Sequence, residues 1–382
     1  MCRRTYTLKI MILSPPSKLV FLLKISLVVS ALLFPIVAVG QQLAAYHDNQ
    51  DRFFIFDKGK TIQAEYLPVK SFSVGGQCIL YLDNRNHLKM YYQGEITTLE
   101  VNDVTQYEAL DYLSVYSLGG IVKIIEEGRI TTVSTNALAY QSNDSIVTFY
   151  DTNRRLLAVY YKGQVSMLED GLTGKPFRSF RSGDNIVAYV ESPSGALKIF
   201  YGGEIIVQEP NMIDGTYKTG RDIVAYVNPS DMRFKAFYRG KEYLLEEFSP
   251  ESFIVGDEIV AYVDNTGSFK VFSQGETIEI ASFVPDFYEV HNQLIVYGEQ
   301  GYFKAWYGNQ SYLLETFTPA KRFAEWNTIV YIDINRNVKV FSKGALSVLT
   351  YDLAEAVYLY RDVVVVNKGM NNHNVYWNGK KY

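Results

Sequence analysis

Residues 258–292 read EIVAYVDNTGSFKVFSQGETIEIASFVPDFYEVHN and show how the whole chain is organised. Apolar runs alternate with turn-forming residues, from Asp264 to Gly267 and again at Gly275. Asn and Gly tolerate a positive φ and Asp caps its own backbone, as tight hairpins require. The segment therefore predicts four short antiparallel strands, which we call a to d in chain order: 259–263, 269–272, 277–281 and 287–290.

The same layout recurs along the chain at a nearly constant interval. A tyrosine returns every 34 to 39 residues, with Val366 in the tenth position: Tyr46, Tyr81, Tyr116, Tyr150, Tyr189, Tyr226, Tyr262, Tyr297 and Tyr331. A glycine, or once an asparagine, follows 12 to 14 residues later in each unit: Gly59, Gly94, Gly128, Gly163, Gly203, Gly240, Gly275, Asn309, Gly344 and Gly379. Two landmarks at a fixed offset in ten successive units indicate one supersecondary unit copied end to end.

Strand composition predicts the class of fold. Strand a is apolar throughout, as in the IVAYV of residues 186–190, 223–227 and 259–263, and a strand without alternation is covered on both faces. No window shows an apolar stripe of helical period, and the 31 Tyr and 22 Phe favour strands over helices. Because strand d is the most polar and variable, we expect it to lie outermost.

Units of four short strands, with strand a buried on both faces, resemble a β-propeller over residues 43–382. The resemblance is architectural only, because the Trp-Asp ending, the Asp-box and the kelch double glycine are absent. It implies an all-β fold: a β-propeller of about ten four-stranded repeats, each of about 35 residues. Two smaller propellers and an open β-solenoid remain alternatives. The last unit stops soon after its strand b, so we expect residues 41–49 to complete it.

The first 40 residues have the layout of a secretory signal peptide. Basic residues precede an apolar stretch at 25–39, which ends in small residues at Ala38 and Gly40. The stretch is shorter than the roughly 20 residues of a membrane-spanning helix, although an uncleaved anchor remains an alternative. We therefore expect residues 1–40 to be a signal peptide, residues 41–382 to be a single propeller domain, and the protein to be exported to the periplasm or beyond the cell.

The charge balance narrows the range of partners. The leader holds five basic residues and no acidic one, which leaves 32 basic and 41 acidic residues, a net charge of about −9. Nucleic acids and anionic membranes demand clustered Lys and Arg, so neither is expected to bind, and no membrane insertion is expected after cleavage. The partner that we expect is a protein or a glycan, and the chain itself is expected to be a monomer.

A lysine precedes the glycine landmark by five residues in seven of the ten units: Lys89, Lys123, Lys198, Lys235, Lys270, Lys304 and Lys339. A cationic ring for an anion is one interpretation. We favour a structural one, in which each ammonium group meets an acid or a tyrosine hydroxyl of a neighbouring blade. The repeated tyrosine hydroxyls likewise predict a recurring hydrogen bond between blades.

A ligand site is expected where the repeat symmetry breaks, at the turns from strand d into the next strand a. Four of these turns begin with a glycine: Gly75, Gly183, Gly220 and Gly256. The last three instead carry larger side chains: His291 with Asn292, Glu325 with Trp326, and Tyr360 with Arg361. The candidate ligand-binding residues are therefore Trp326, His291, Glu325, Tyr360 and Arg361, centred on an exposed Trp326.

Catalytic chemistry finds little support in the sequence. The four histidines stand apart, and phosphate loops, nucleophile elbows and zinc motifs are absent. Two stretches, Asp83 to Asn86 and Asp333 to Asn337, begin like calcium loops but lack the later Gly and Glu. We therefore expect no catalytic residue, no metal and no cofactor. The predicted function is a secreted, non-enzymatic scaffold that binds a protein or a glycan. The alternative is a carbohydrate-active enzyme, a lyase or glycosidase, with its site at the central channel.

Overall fold

The computed structural model describes residues 42–171, 180–192, 194–212, 216–370 and 372–382. They belong to one compact unit, Gln41–Tyr382. Every regular element in these ranges is a β-strand, and they hold no apolar helix of bilayer-spanning length. The signal peptide predicted at residues 1–40 lies outside the described residues.

The strands form ten antiparallel sheets, called blades 1 to 10 in chain order. Blades 1 to 5 consist of β1 (Leu43–His47), β2 (Phe53–Asp57), β3 (Lys60–Glu65); β4 (Ser71–Val74), β5 (Cys78–Leu82), β6 (Leu88–Tyr92), β7 (Glu95–Glu100); β8 (Gln106–Ala109), β9 (Leu113–Leu118), β10 (Ile121–Glu126), β11 (Arg129–Ser134); β12 (Ala137–Asn143), β13 (Ile146–Asp151), β14 (Leu156–Tyr161), β15 (Gln164–Glu169); β16 (Phe180–Gly183), β17 (Ile186–Val190), β18 (Leu197–Tyr201), β19 (Glu204–Glu209).

Blades 6 to 10 repeat this pattern: β20 (Tyr217–Gly220), β21 (Ile223–Val227), β22 (Phe234–Tyr238), β23 (Lys241–Glu246); β24 (Ser252–Val255), β25 (Ile259–Val263), β26 (Phe269–Ser273), β27 (Glu276–Ala281); β28 (Phe287–His291), β29 (Leu294–Glu299), β30 (Tyr302–Tyr307), β31 (Gln310–Glu315); β32 (Arg322–Glu325), β33 (Thr328–Ile332), β34 (Val338–Ser342), β35 (Ala345–Thr350); β36 (Ala356–Tyr360), β37 (Val363–Asn367), β38 (His373–Trp377), β39 (Lys380–Lys381). The prediction of four short antiparallel strands is confirmed for blades 2 to 10, and blade 1 has three strands in the described residues.

The position predicted for strand d is wrong. Strand d pairs with strand a of the following unit, as β4 pairs with β5, and so forms the first strand of a blade. First strands of neighbouring blades contact each other, and the Tyr107 hydroxyl of β8 donates to Ser71 Oγ of β4 at 2.6 Å. The fourth strands are mostly exposed. Strand d therefore lines the central channel, and strand c lies outermost.

Ten hydrophobic clusters hold the ring together, and each is shared by two neighbouring blades. The tenth cluster joins the two ends of the described ring, because Ala44 and Phe56 of blade 1 pack with Val363, Val365 and Val375 of blade 10. The fold is thus one closed ring of ten blades, as predicted. The two alternatives, a pair of smaller propellers and an open solenoid, are excluded.

Ring closure differs from the prediction for the last unit. Blade 10 has four strands of its own, the last of which covers only Lys380–Lys381. The N-terminal strand β1 pairs with β2 and does not join blade 10. Side-chain packing between blades 1 and 10, rather than an exchanged strand, therefore closes the ring in the described part of the chain.

The repeated tyrosines and lysines form clips between blades. Glu65, the last residue of β3, accepts hydrogen bonds from the Tyr81 hydroxyl at 3.1 Å and from Lys89 Nζ at 2.6 Å, both in the next blade. The same arrangement recurs at three further glutamates, each ending an outer strand: Glu100, Glu246 and Glu315. Each of the seven lysines pairs with a glutamate. The structural interpretation is confirmed for five of the seven lysines, whose glutamates belong to the preceding blade. Lys198 and Lys304 instead pair with a glutamate of their own blade.

Candidate functional site: the channel mouth

Nine hairpin turns connect the first and second strands of blades 2 to 10 at one end of the channel, which we call the channel mouth. Each turn has two central residues. The first of these two residues varies among the blades: Gly76, Asp111, Asp144, Asp184, Arg221, Asp257, Asn292, Trp326 and Arg361. Four of the nine equivalent positions hold Asp, two hold Arg, and the other three hold Gly, Asn and Trp.

Neighbouring turns approach each other closely enough to exchange hydrogen bonds. The Glu258 N–H donates to the Arg221 carbonyl at 3.0 Å, and the Asp257 N–H donates to the Asn292 carbonyl at 2.8 Å. A Cβ atom on Gly220 would lie 1.8 Å from the Gly256 carbonyl oxygen, far inside any real contact. Glycine at this position therefore lets the turns close into a continuous ring.

A cavity of about 400 Å³ opens at the channel mouth. One side is formed by His291 and Glu325, which replace the glycine in the later blades, and by Trp326, which follows Glu325. Carboxyl groups face them from the other side, including Asp144 and Asp184. The symmetry-breaking residues thus line one concave surface, as ligand sites generally do.

Arg221 joins carboxyl groups from three blades. Its NH2 lies 3.0 Å from Asp184 Oδ2 and 3.5 Å from Asp144 Oδ2, and its NH1 lies 3.4 Å from Asp257 Oδ2. One guanidinium compensates three acids, which leaves this part of the mouth with an excess of negative charge when all three are ionised.

Trp326 lies between two guanidinium groups. Arg361 stacks over the indole with its Cζ 4.8 Å from the ring centroid, and Arg221 lies 5.7 Å away. The Arg361 guanidinium also forms an ion pair with Asp111, and the backbone N–H of Arg361 donates to Glu325 Oε2 at 3.2 Å. The prediction of an exposed Trp326 is wrong: the turn faces the channel, so the indole is half-buried and forms two cation–π contacts.

Burial and like charge change the protonation of the mouth. Desolvation raises the pKa of Asp144 to about 7, with the Asp184 carboxylate adding to the rise and Arg221 opposing it. Burial also raises the pKa of Asp257 and of Glu325 above their usual range. Asp144 therefore exchanges its proton near neutral pH.

Four of the five predicted site residues meet at the mouth. Glu325, Trp326 and His291 line the cavity, and Arg361 packs against the indole. His291 Nε2 lies 3.4 Å from Glu289 Oε2. Tyr360 is not among the residues that line the cavity, and it packs against the cluster that closes the ring between blades 10 and 1. Burial raises its pKa, and the charges of Tyr358 and Glu325 add to the rise.

Sequence reasoning missed Arg221 and the acids around it. Their signal was present, because Asp184, Arg221 and Asp257 each follow a glycine at the same register as Trp326. Because strand d was predicted to lie at the outer edge, the turns that follow it were not expected to meet at the central channel.

Within the described ranges, no three His, Cys, Asp or Glu side chains are arranged to hold a metal ion.

Comparison with known proteins agrees with the architecture. Residues 37–382 match the family model described as a 10-bladed beta propeller domain. No curated protein sequence matches the chain.

Solved structures give low-level likenesses. The computationally designed Ika8 protein is 14% identical, with 88% of this chain and 100% of that chain covered and a TM-score of 0.36. The CRINKLY WD40 ectodomain of an Arabidopsis thaliana receptor kinase is 9% identical. The match covers 63% of this chain and 98% of that chain, with a TM-score of 0.34. Prp20p from Saccharomyces cerevisiae is 11% identical. The match covers 63% of this chain and 82% of that chain, with a TM-score of 0.32.

Proposed function

The chain belongs to the 10-bladed β-propeller domain family, and from this membership we propose that it is an exported, non-enzymatic scaffold that binds a protein or glycan at its channel mouth. A propeller suits such a role because its strands form a rigid ring, and its turns differ without disturbing the sheets. The ligand-binding residues in this proposal are Trp326, His291, Glu325 and Arg361.

The observation that carries the proposal is the cavity beside the Arg361–Trp326–Arg221 stack. Trp and Arg are the residue types that dominate binding energy at protein interfaces. The two guanidinium groups fix the indole in one orientation, so little side-chain entropy is lost when a ligand contacts its edge. The site is therefore pre-organised for a ligand.

Export rests on the leader. The basic residues of 1–24, the apolar stretch at 25–39 and the small residue Gly40 fit a segment that directs secretion. Periplasmic and extracellular destinations both agree with this leader.

A carbohydrate-active enzyme is the second candidate, favoured by one feature. Asp144, protonated near neutral pH, lies beside Asp184, and glycosidases use such an acid next to a carboxylate. Binding is the better-supported function because Arg221 contacts both carboxyl groups and occupies the space between them. A sugar would have to displace this guanidinium before the two acids could act on one glycosidic bond.

The test is a binding screen of the purified protein on a printed glycan array and an immobilised peptide library. Any glycan or peptide retained by the wild type is then measured against Trp326→Ala. We expect affinity to fall at least tenfold, because the variant loses the indole that the ligand contacts and frees both guanidinium groups. Gln293→Ala, an exposed position in a neighbouring turn of the same mouth, is the matched control and should bind like the wild type.

Retention of full affinity by Trp326→Ala would remove the mouth from the proposal. Release of reducing sugar from a panel of polysaccharides, lost in Asp144→Asn and in Asp184→Asn, would establish the enzyme in its place.

A further inference from the structure

A second concave surface lies on the face opposite the channel mouth. The turns between the second and third strands of each blade emerge there, together with the connections that lead into the next blade. A groove of about 360 Å³ opens among three segments of this face, formed by residues 317–321, residues 332–336 and Ala354. The groove is therefore one local site at blade 9, bounded by the connections on either side of that blade.

Most of the groove is apolar. Phe317, Pro319 and Ile332 line it, together with Ile334, which is 76% exposed. The volume of the groove lies within the range of about 300 to 1,000 Å³ that is usual for ligand sites. A ligand side chain in this groove is removed from water and covers Ile334 as well.

The turn of blade 9 has the same backbone as the corresponding turns of blades 1, 2 and 7. In all four turns, the first residue is an aspartate whose N–H donates to the carbonyl of the fifth residue. The carbonyl of the same aspartate accepts from the N–H of the fourth residue. The four turns cover residues 48–52, 83–87, 264–268 and 333–337, and they can be compared position by position.

Blade 9 departs from the other three turns at two positions, and both line the groove. Its second turn residue is Ile334, where the other turns have asparagine, and its fourth is Arg336, where they have aspartate, asparagine and glycine. Arg336 has a φ of 66°, in the left-handed region that Gly, Asn and Asp adopt more readily than Arg. Both residues are unfavourable for the turn itself, and strained or exposed apolar residues of this kind concentrate at functional sites.

Two cations border the groove without an acidic partner. Lys321 Nζ donates to the Glu355 carbonyl, and Arg336 Nη2 donates to the Ala354 carbonyl at 3.3 Å. Among the residues that the structure describes, neither cation forms an ion pair with a carboxylate. The backbone carbonyls hold both side chains at the groove but leave their positive charges uncompensated.

The nearby carboxylates are engaged elsewhere. Asp333 accepts two backbone N–H groups of its own turn at 2.9 Å and lies 3.5 Å from Lys339. The Glu355 carboxylate lies beside Gly369 rather than beside Lys321. The groove therefore combines an apolar lining with an excess of positive charge.

This combination of chemistry defines the occupant. A large apolar side chain fills the groove, and carboxylates beside it compensate Lys321 and Arg336. A polypeptide segment supplies both kinds of group along one chain. An anionic membrane fits less well, because it requires clustered cations over a broad surface, whereas this chain has a net negative charge.

We propose that the groove at blade 9 binds an acidic peptide segment of a partner protein, in which Asp or Glu residues flank a large apolar side chain. The apolar side chain packs against Phe317, Ile332 and Ile334, and the carboxylates pair with Lys321 and Arg336. Because the groove and the channel mouth lie on opposite faces, this site is independent of any ligand at the mouth.

Selection of a phage-displayed library of random short peptides tests the proposal, with the purified wild type and Arg336→Gly each immobilised as the target. We expect the wild type to enrich peptides in which Asp or Glu flanks Leu, Ile or Phe, and Arg336→Gly not to enrich them. The affinity of the most enriched peptide is then measured in solution by fluorescence polarisation.

Ile334→Asn and Arg336→Gly restore the residues that the equivalent turn of blade 7 carries at Asn265 and Gly267. Each variant is expected to bind the peptide at least about tenfold more weakly. The free energy of unfolding should be unchanged or higher, because the restored residues suit the turn, and this separates a ligand contact from a structural role. Arg85→Gln removes an exposed positive charge from the equivalent turn of blade 2 and is the matched control, which should bind like the wild type.

Enrichment of basic or neutral peptides, the absence of enrichment, or equal enrichment by Arg336→Gly overturns the proposal. Two further outcomes overturn it by identifying a different occupant. Binding to phosphatidylserine vesicles that is lost in Arg336→Gly would assign the groove to a membrane, and a dimer that dissociates in Ile334→Asn would assign it to a second copy of the chain.

Discussion

At the scale of single residues, the protonation of the acids at the channel mouth depends on Arg221, whose guanidinium group contacts three of them. Asp144, Asp184 and Asp257 all contact Arg221, so the three acids cannot all be fully compensated at once. Burial, together with the negative charge of the Asp184 carboxylate, raises the pKa of Asp144, so Asp144 stays protonated to a higher pH than an exposed aspartate. Folding therefore raises the pKa of Asp144 and ties stability to pH.

The sign of this pH dependence follows from the raised pKa. The folded chain holds the Asp144 proton more tightly than the unfolded chain, whose carboxyl has a pKa near 3.8. The stabilisation is complete below about pH 4 and is lost as pH rises through about 7, at a cost on the order of 4 kcal/mol. Asp144→Asn should flatten the decline in the free energy of unfolding between about pH 4 and 7, measured by urea unfolding.

Asp103→Asn changes the same charge at an exposed position and should leave the decline as in the wild type. An Asp144→Asn profile that parallels the wild type would show that Asp144 does not titrate in this range.

Single residues also show what sequence alone can reach. The turn residues that break the repeat, such as Trp326, were found by aligning the units, because a departure from the repeat is visible in the letters. The contacts of these residues could not be predicted from the sequence. Arg221 and Trp326 are 105 positions apart, and they meet only because the ring brings their turns together. Exposure of Trp326 was mispredicted for the same reason.

At the scale of elements, the turns of the mouth depend on close approach. The last residue of β20 is Gly220, where a Cβ atom would meet the Gly256 carbonyl oxygen and Val255 Cγ1. Gly220→Ala must push neighbouring turns apart, and we expect it to lower the free energy of unfolding by about 1 to 3 kcal/mol. Urea unfolding against the wild type measures the change.

Gly120→Ala is the control for this prediction. A Cβ atom at Gly120 would have its nearest neighbours 3.4 Å away, so little change in stability is expected. Equal loss in both variants would attribute the effect to backbone flexibility rather than to the contact between turns.

The elements themselves were largely predictable, because turn residues at fixed offsets define the hairpins and continuous apolar runs define the buried second strands. The position of strand d in the blade could not be predicted from the sequence. An edge strand beside the channel and an edge strand at the rim both carry polar side chains, so polarity alone does not tell the inside of a ring from the outside.

At the scale of the whole molecule, the repeat number and closure form the central claim. Ten interfaces join ten blades, and the tenth consists of Ala44 and Phe56 against Val363, Val365 and Val375. Phe56 also meets Trp377 and Tyr382 edge-on, with ring centroids 6.2 and 5.2 Å apart. The first and last blades are therefore as well covered as those in the middle of the ring.

Amide hydrogen exchange followed by mass spectrometry tests closure most directly. In a closed ring, β2 and β37 each lie between two paired strands and pack across the seam between blades 1 and 10, so peptides covering them should be as well protected as those covering β21 and β22 in blade 6. Exchange at β2 and β37 that is orders of magnitude faster than at β21 and β22 would show an open seam between blades 1 and 10, and would contradict a closed ring of ten blades.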